Sequence, residues 1–279
     1  MTIAFVTDST ADIPAELTDK YAIHVVPNIM VLDGETLKDG EDITRQEFYR
    51  RLPDLREPPT TGTASTGAYQ TLYARLLERG FEHVCSIHAA ARLSGIFSAA
   101  SVAADQFGGR VQVLDSQQLS MGLGLQVLAA ARAAQQGASP AEIARLIADM
   151  HPRVHVIAML DTLEYIRRSG RVSWARARLG NLLRIKPFIE LRFGEVNSLG
   201  ETRTRRKGLE RLRSLLENLG PLEALAVLHS NAEADAHTFL NSLNLSLPDP
   251  PPVVNVTPII GVHVGPNGLG FAAVTRSGG

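Results

Sequence analysis

Three short apolar runs, each broken off by small polar residues and followed by a helical pattern, constrain this chain more than any other feature. "IAFVTDST" ends in Asp8-Ser9-Thr10 and leads into "ADIPAELTDKY", a turn and a short helix. "HVCSIHAAARLSG" passes from an apolar strand into the turn Arg92-Leu93-Ser94-Gly95, and a helix follows. "VQVLDSQQ" repeats the grammar, with Val111 to Leu114 apolar, then Asp115-Ser116, then a long Ala- and Leu-rich helix through Ala134. Continuous apolar strands separated by helices predict a parallel sheet covered by helices on both faces. Ligands of such sheets sit outside the carboxyl ends of the strands. Asp8-Ser9-Thr10, Ser94-Gly95 and Asp115-Ser116 all fall at such ends and are expected to share one crevice.

The rest of the chain has a different texture. Pro58-Pro59 disfavours helix, so Thr60 to Ser65 is expected as an extended loop, with a helix from Thr66 to about Gly80. After "SPAEIARLIADMHPRV" the strand "VHVIAML" opens a second region. It contains "DTLEYIRRSGRVS", an apolar helix "RARLGNLLRI", a strand with Pro187, a hairpin "LRFGEVNSLGETRTRR", a helix from Lys207 to Leu219 and the strand "EALAVLHS". "PPVVNVTPIIGVHVGPNGLGFAAV" reads as two strands around a Gly-rich turn. This grammar predicts an α/β domain with a parallel sheet over residues 1–158 and a smaller α+β domain over 159–279.

Composition excludes several classes. The formal net charge of -1 and 5% aromatic content leave neither a basic field nor stacking platforms for nucleic acid. Cys85 is the single cysteine, so no internal disulfide can form, and it lies in an apolar run, which fits a reducing cytoplasm. No run approaches roughly eighteen apolar residues and the start carries no cleavable signal, so a cytoplasmic protein without a transmembrane segment is expected. The eight histidines show no zinc-like spacing with carboxylates or cysteine, and no metal or cofactor is expected.

Ser94 admits two chemistries. A hydrolase nucleophile needs glycine two residues to either side, where this chain has Arg92 and Ile96. As a helix N-cap, Ser94 would satisfy one amide and leave others facing an anion. His263 sits in "IIGVHVGPNGLG" between Gly261 and Gly265, read as same-face positions of a strand that let a ligand or a backbone approach the ring. Two basic clusters, Arg167, Arg168 and Arg171, and Arg203, Arg205, Arg206 and Lys207, offer a local positive patch to an acidic partner or a carboxylate. The rival is an acyl hydrolase or thioesterase using Ser94 and His263 with Asp8 or Asp115. A sugar-phosphate or other small-anion binder is a third reading.

Taken together, "VTDSTADIP", "PPTTGTAS", "RLSGIFSAA", "DSQQLSMGLG", "LDTLEYIRRSGRVS", "LLRIKPFIE", "RTRRK" and "GVHVGPNGLG" resemble the DegV family along essentially the whole chain. That family includes the fatty-acid-binding B subunits of bacterial fatty acid kinase. The resemblance implies one long-chain fatty acid held in a tunnel between two domains, with its carboxylate presented to an ATP-binding kinase subunit and no turnover by this chain. It carries the carboxylate contacts onto Thr61, Ser94 and His263, and kinase docking onto Arg203, Arg205 and Lys207. Three departures bear on the head group: Ala90 and Ala91 stand where serines are usual, the loop reads Thr61-Gly62-Thr63-Ala64-Ser65, and Ile96 replaces a threonine.

Overall fold

The structure, a computed structural model, describes residues 2–172, 174–175 and 185–276. In chain order the early strands are β1 (Ile3–Asp8), β2 (Ile23–Val26), β3 (Ile29–Leu32), β4 (Glu35–Lys38), β5 (Thr60–Gly62), β6 (His83–His88) and β7 (Val111–Asp115). The later strands are β8 (Val154–Met159), β9 (Lys186–Arg192), β10 (Glu195–Thr202), β11 (Leu222–His229), β12 (Val253–Asn255) and β13 (Leu269–Thr275). The three sequence runs that announce βα units become β1, β6 and β7 of a sheet ordered β2-β1-β6-β7, parallel throughout. The later strands form a mixed sheet ordered β10-β9-β8-β13-β11-β12. The α/β fold with its parallel first sheet is thus as expected, and the mixed order of the second sheet is what the structure adds. β8 contains residue 158 and pairs wholly within the second sheet, through β9 and β13.

A small sheet, β4-β3-β5, was not foreseen. Thr60 to Gly62, expected as loop, pair as β5 with Val31 to Ile29. The prolines before them block helix but leave the amides of residues 60–62 free to join an edge. The predicted apolar helix at 176–185 lies, all but its last residue, outside the described residues.

One helix ties the two main sheets together. Met121–Gln135 buries nine residues, among them Gly122 and Gly124. A Cβ on Gly122 would lie 2.4 Å from Val156 of β8, and one on Gly124 would lie 2.6 Å from the Ala11 carbonyl. Side chains there would push the second sheet away from the first, so glycine sets the approach. Cys85 is buried, and burial pushes its thiol up to about 12, so it packs as a small hydrophobe.

Candidate functional site

A cavity of about 510 Å³ lies on the inner face of the second sheet. The opposing walls are the 91–96 turn, the 61–63 segment, and parts of the helices Glu164–Ser169 and Pro258–Val264. Its sheet wall runs from Val196 on β10 through Ile189, Ala158 and Gly270 to Leu228 on β11. That path crosses four inter-strand gaps, roughly 19 Å at about 4.8 Å each. Val156 and Ala158 keep partial exposure on a strand flanked on both sides, because they face this space and not a packed neighbour. The wall is long and apolar.

Thr61, Ser94 and His263 all line the same cavity. Thr61 is held by the β5 ladder opposite Met30, and its Oγ1 lies 3.2 Å from His263 Nε2. The turn carrying Ser94 packs on the same segment, since a Cβ on Gly95 would sit 3.7 Å from Thr63 Cγ2. Ser94 was expected to be the N-cap of the following helix, but Gly95 occupies that position. Ser94 Oγ accepts from the Ile96 amide at 3.3 Å, which leaves its own proton to donate.

His263 was read on a strand and in fact belongs to the helix Pro258–Val264. Thr257 caps that helix through the Ile259 amide, Pro258 occupies its first turn, and Gly265 at φ 73 ends it. The two flanking glycines serve aromatic rings of this chain. Cβ atoms there would lie 2.6 Å from Tyr49 Oη and 2.3 Å from the Tyr165 ring. The Nδ1 atom of His263 is buried without a hydrogen-bond partner. Burial, with a smaller contribution from the Arg171 charge, lowers the His263 pKa to about 4. The ring is therefore neutral at pH 7, one nitrogen a donor and the other an acceptor.

Arg171 brings a positive charge to the edge of the cavity. It is exposed, lines the space, and its Nη1 donates to the Ser169 carbonyl at 2.9 Å. Sequence reasoning placed it in a basic patch and did not connect it with His263. Of the departures noted above, Ala91 and Ile96 both line the cavity, so this chain presents methyl groups where hydroxyls are usual.

The polar strand ends do not share one crevice. Thr10 reaches the cavity, but Asp8 is fully buried and accepts from His88 Nδ1 at 2.9 Å. Asp115 instead accepts the amides of Ala91 at 3.3 Å and Gln117 at 2.8 Å, which fixes the start of the Ser94 turn. Neither aspartate meets His263. The Ser-His-Asp order does occur elsewhere, with Ser86 Oγ 2.6 Å from His88 Nε2, yet Ser86, His88 and Asp8 are fully buried. A serine that no substrate can reach is structural.

Of the basic residues, Arg203 and Lys207 are exposed. Arg205 is largely occupied, its guanidinium 2.6 Å from Asp235 and also donating to the Asn267 carbonyl. Among the described residues no group of three or more His, Cys, Asp or Glu side chains could hold a metal ion. No helix among them is long and apolar enough to cross a membrane.

The histidine gives a pH prediction. A ring pKa near 4 in the fold, against about 6.5 unfolded, contributes stability that is complete above 6.5 and is lost as pH falls toward 4. The term is on the order of 3 kcal/mol. His263→Asn should therefore flatten the loss of urea stability between pH 6.5 and 4. NMR titration of the ring should show a midpoint well below 6, and a midpoint at 6.5 or above would remove the argument.

A family model described as an uncharacterised protein of the DegV family matches residues 2–276. The DegV protein of Bacillus subtilis is 33% identical over 279 residues, covering 97% of this chain and 98% of that protein. Among solved structures, a DegV family protein from Thermus thermophilus, described for its fatty acid binding, superposes with TM-score 0.90. Identity is 31%, with 99% of this chain and 100% of that chain covered. The Bacillus subtilis structure, described as DegV, a fatty acid binding protein, gives TM-score 0.87 at 30% identity, with 99% and 100% covered. The family match, the identity and the superposition agree across nearly all of the sequence, and the chain belongs to the DegV family.

Proposed function

We propose that this chain binds one long-chain fatty acid, its tail in the apolar cavity and its carboxylate against Thr61, Ser94 and His263. The observation that carries the reading is the meeting of those three polar side chains, drawn from three separate segments, on the wall of one long apolar space. A bilayer's hydrocarbon core of roughly 30 Å is two acyl chains deep, so one chain needs about 15 Å, and the sheet wall is long enough. Fifteen buried methylenes at about 0.8 kcal/mol each give a gross term near 12 kcal/mol before the costs of association. The carboxylate, once out of water, needs several donors, and a neutral histidine hydrogen-bonded to Thr61 supplies or orients them without a competing charge. The fatty acid binding described for the Thermus thermophilus and Bacillus subtilis relatives supports the same reading.

The finer reading follows the family resemblance. The chain would present the carboxylate to the ATP-binding subunit of a fatty acid kinase in the cytoplasm, and the acyl phosphate would form there with no turnover by this chain alone. Exposed Arg203 and Lys207 would dock the kinase, with Arg205 holding that edge in place through Asp235. The hydrolase alternative lacks its machinery, because among the described residues no carboxylate hydrogen-bonds His263 and Ser94 pairs with a backbone amide.

Mass spectrometry of an organic extract of the purified protein should release a long-chain fatty acid in near-stoichiometric amount. An extract without fatty acid, together with no binding of added palmitate or oleate, would end the proposal. Hydrolysis of an acyl ester that depends on Ser94 would replace it with the hydrolase reading.

A further inference from the structure

The helix that carries His263 is seven residues long, too short to hold its own position by propensity. Its N-terminus is gripped by two buried carboxylates from distant parts of the chain. Asp12 accepts the Thr257 amide at 2.8 Å, and Asp39 accepts the Thr257 hydroxyl. Thr257, Asp12 and Asp39 are 1%, 2% and 5% exposed, so the grip is made out of water. Asp12 is itself fixed by Arg45 at 3.1 Å and by the Ser120 hydroxyl at 2.6 Å, and Ser120 belongs to the cavity wall. Arg45 in turn donates to the Asn255 carbonyl, two residues before Thr257. His263 lies six residues beyond Thr257, so any tilt of this helix about its start moves the ring relative to Thr61 by a lever of roughly 9 Å.

We propose that Asp12 and Asp39, acting through Thr257, are positioning residues that let the site select a carboxylate head group. Neither touches the ligand. They set where the His263 ring stands, and a displacement of about 1 Å there would break a 3.2 Å contact with Thr61 into a non-bonded one. The clamped helix also lines the cavity with Ile259, Ile260 and Val264, but a loss of tail contact lowers the affinity of every ligand with the same tail, whereas a displaced His263 ring lowers it only for a carboxylate. The inference rests on the fatty-acid reading, and the two fail differently.

The test is the ratio of affinities for palmitate and for hexadecanol, which share a tail and differ in head group. Unfolded protein binds neither, so partial unfolding lowers both affinities and leaves the ratio alone. Wild type should prefer palmitate. Thr257→Val, which keeps shape and loses the hydroxyl, and Asp39→Asn, should each cut the ratio by about tenfold or more, a change equal to about 1.4 kcal/mol. Thr257→Ser should restore it to within about twofold of wild type, and NMR of His263 should report a changed ring environment only in the first two. An unchanged ratio in Thr257→Val and Asp39→Asn, with wild type discriminating, overturns the clamp and leaves fatty-acid binding standing. If wild type binds no palmitate, the fatty-acid reading falls and the clamp with it.

Discussion

The double variant Thr61→Val with Ser94→Ala should bind palmitate roughly 10²- to 10³-fold more weakly than wild type while its affinity for hexadecanol changes little. Each substitution removes one hydroxyl donor to a desolvated carboxylate, a loss of roughly 1.5–3 kcal/mol for a hydrogen bond to a charged group. The two segments touch through Gly95 and Thr63, so the losses need not add, and about 3–4 kcal/mol is expected in total. At 1.4 kcal/mol per factor of ten, that gives the stated range. Calorimetric titration at pH 7.5 with both ligands checks it. A fall of less than about tenfold for palmitate, or an equal fall for both ligands, would mean that these hydroxyls do not hold the head group.

Asp8→Ala should destabilise the fold by about 3–5 kcal/mol in urea unfolding, the cost of removing one partner of a buried polar pair. The melting temperature should drop by on the order of 10 °C. Asp8 is fully buried and accepts from His88 Nδ1, the Ala89 amide at 3.3 Å, the Thr10 amide at 3.0 Å and Asn28 Nδ2 at 3.2 Å. Asn28 passes the constraint on, its Oδ1 accepting the Ala64 amide at 3.4 Å, three residues from Thr61. Loss of Asp8 therefore orphans the Ala89 amide at the head of the Ser94 segment, and it frees Asn28, which holds the Thr61 segment.

The pH dependence has a definite sign. Burial opposes ionisation of Asp8, but hydrogen bonds from His88, Thr10 and Ala89 and the attraction of His88 outweigh it and hold the carboxyl below its ordinary value. A depressed carboxylate contributes stability that is present above the unfolded pKa of about 3.9 and is lost as pH falls through the folded one. Wild type and Asp8→Ala should thus differ fully at pH 7 and converge in strong acid. A variant within about 1 kcal/mol of wild type at pH 7 would show that the network contributes little.

Local sequence determined the parallel sheet. Each of β1, β6 and β7 is an apolar run ended by residues that turn or cap, and both signals act within a few neighbours of each other. The hydroxyl of Ser94 was also legible, because a strand-to-helix turn marks it in one dimension, whereas Thr61 stood out only through the family resemblance. The placement of His263 was not legible. Glycines two residues to either side fit strand alternation, whereas in the fold they flank the ring on a helix and admit Tyr49 and Tyr165. Its start was written in Thr257-Pro258, a cap followed by a proline, and the alternation outweighed that signal. Nor could the chain by itself reveal the Thr61 to His263 contact across 202 residues, the burial of the Ser86-His88-Asp8 network, or the occupation of Arg205 by Asp235. Periodicity and capping depend on neighbours within a turn or two, whereas these features depend on which surfaces the two sheets bring together. The sequence therefore determined the elements and the polar groups on offer, and the tertiary packing decided which of those groups face one cavity.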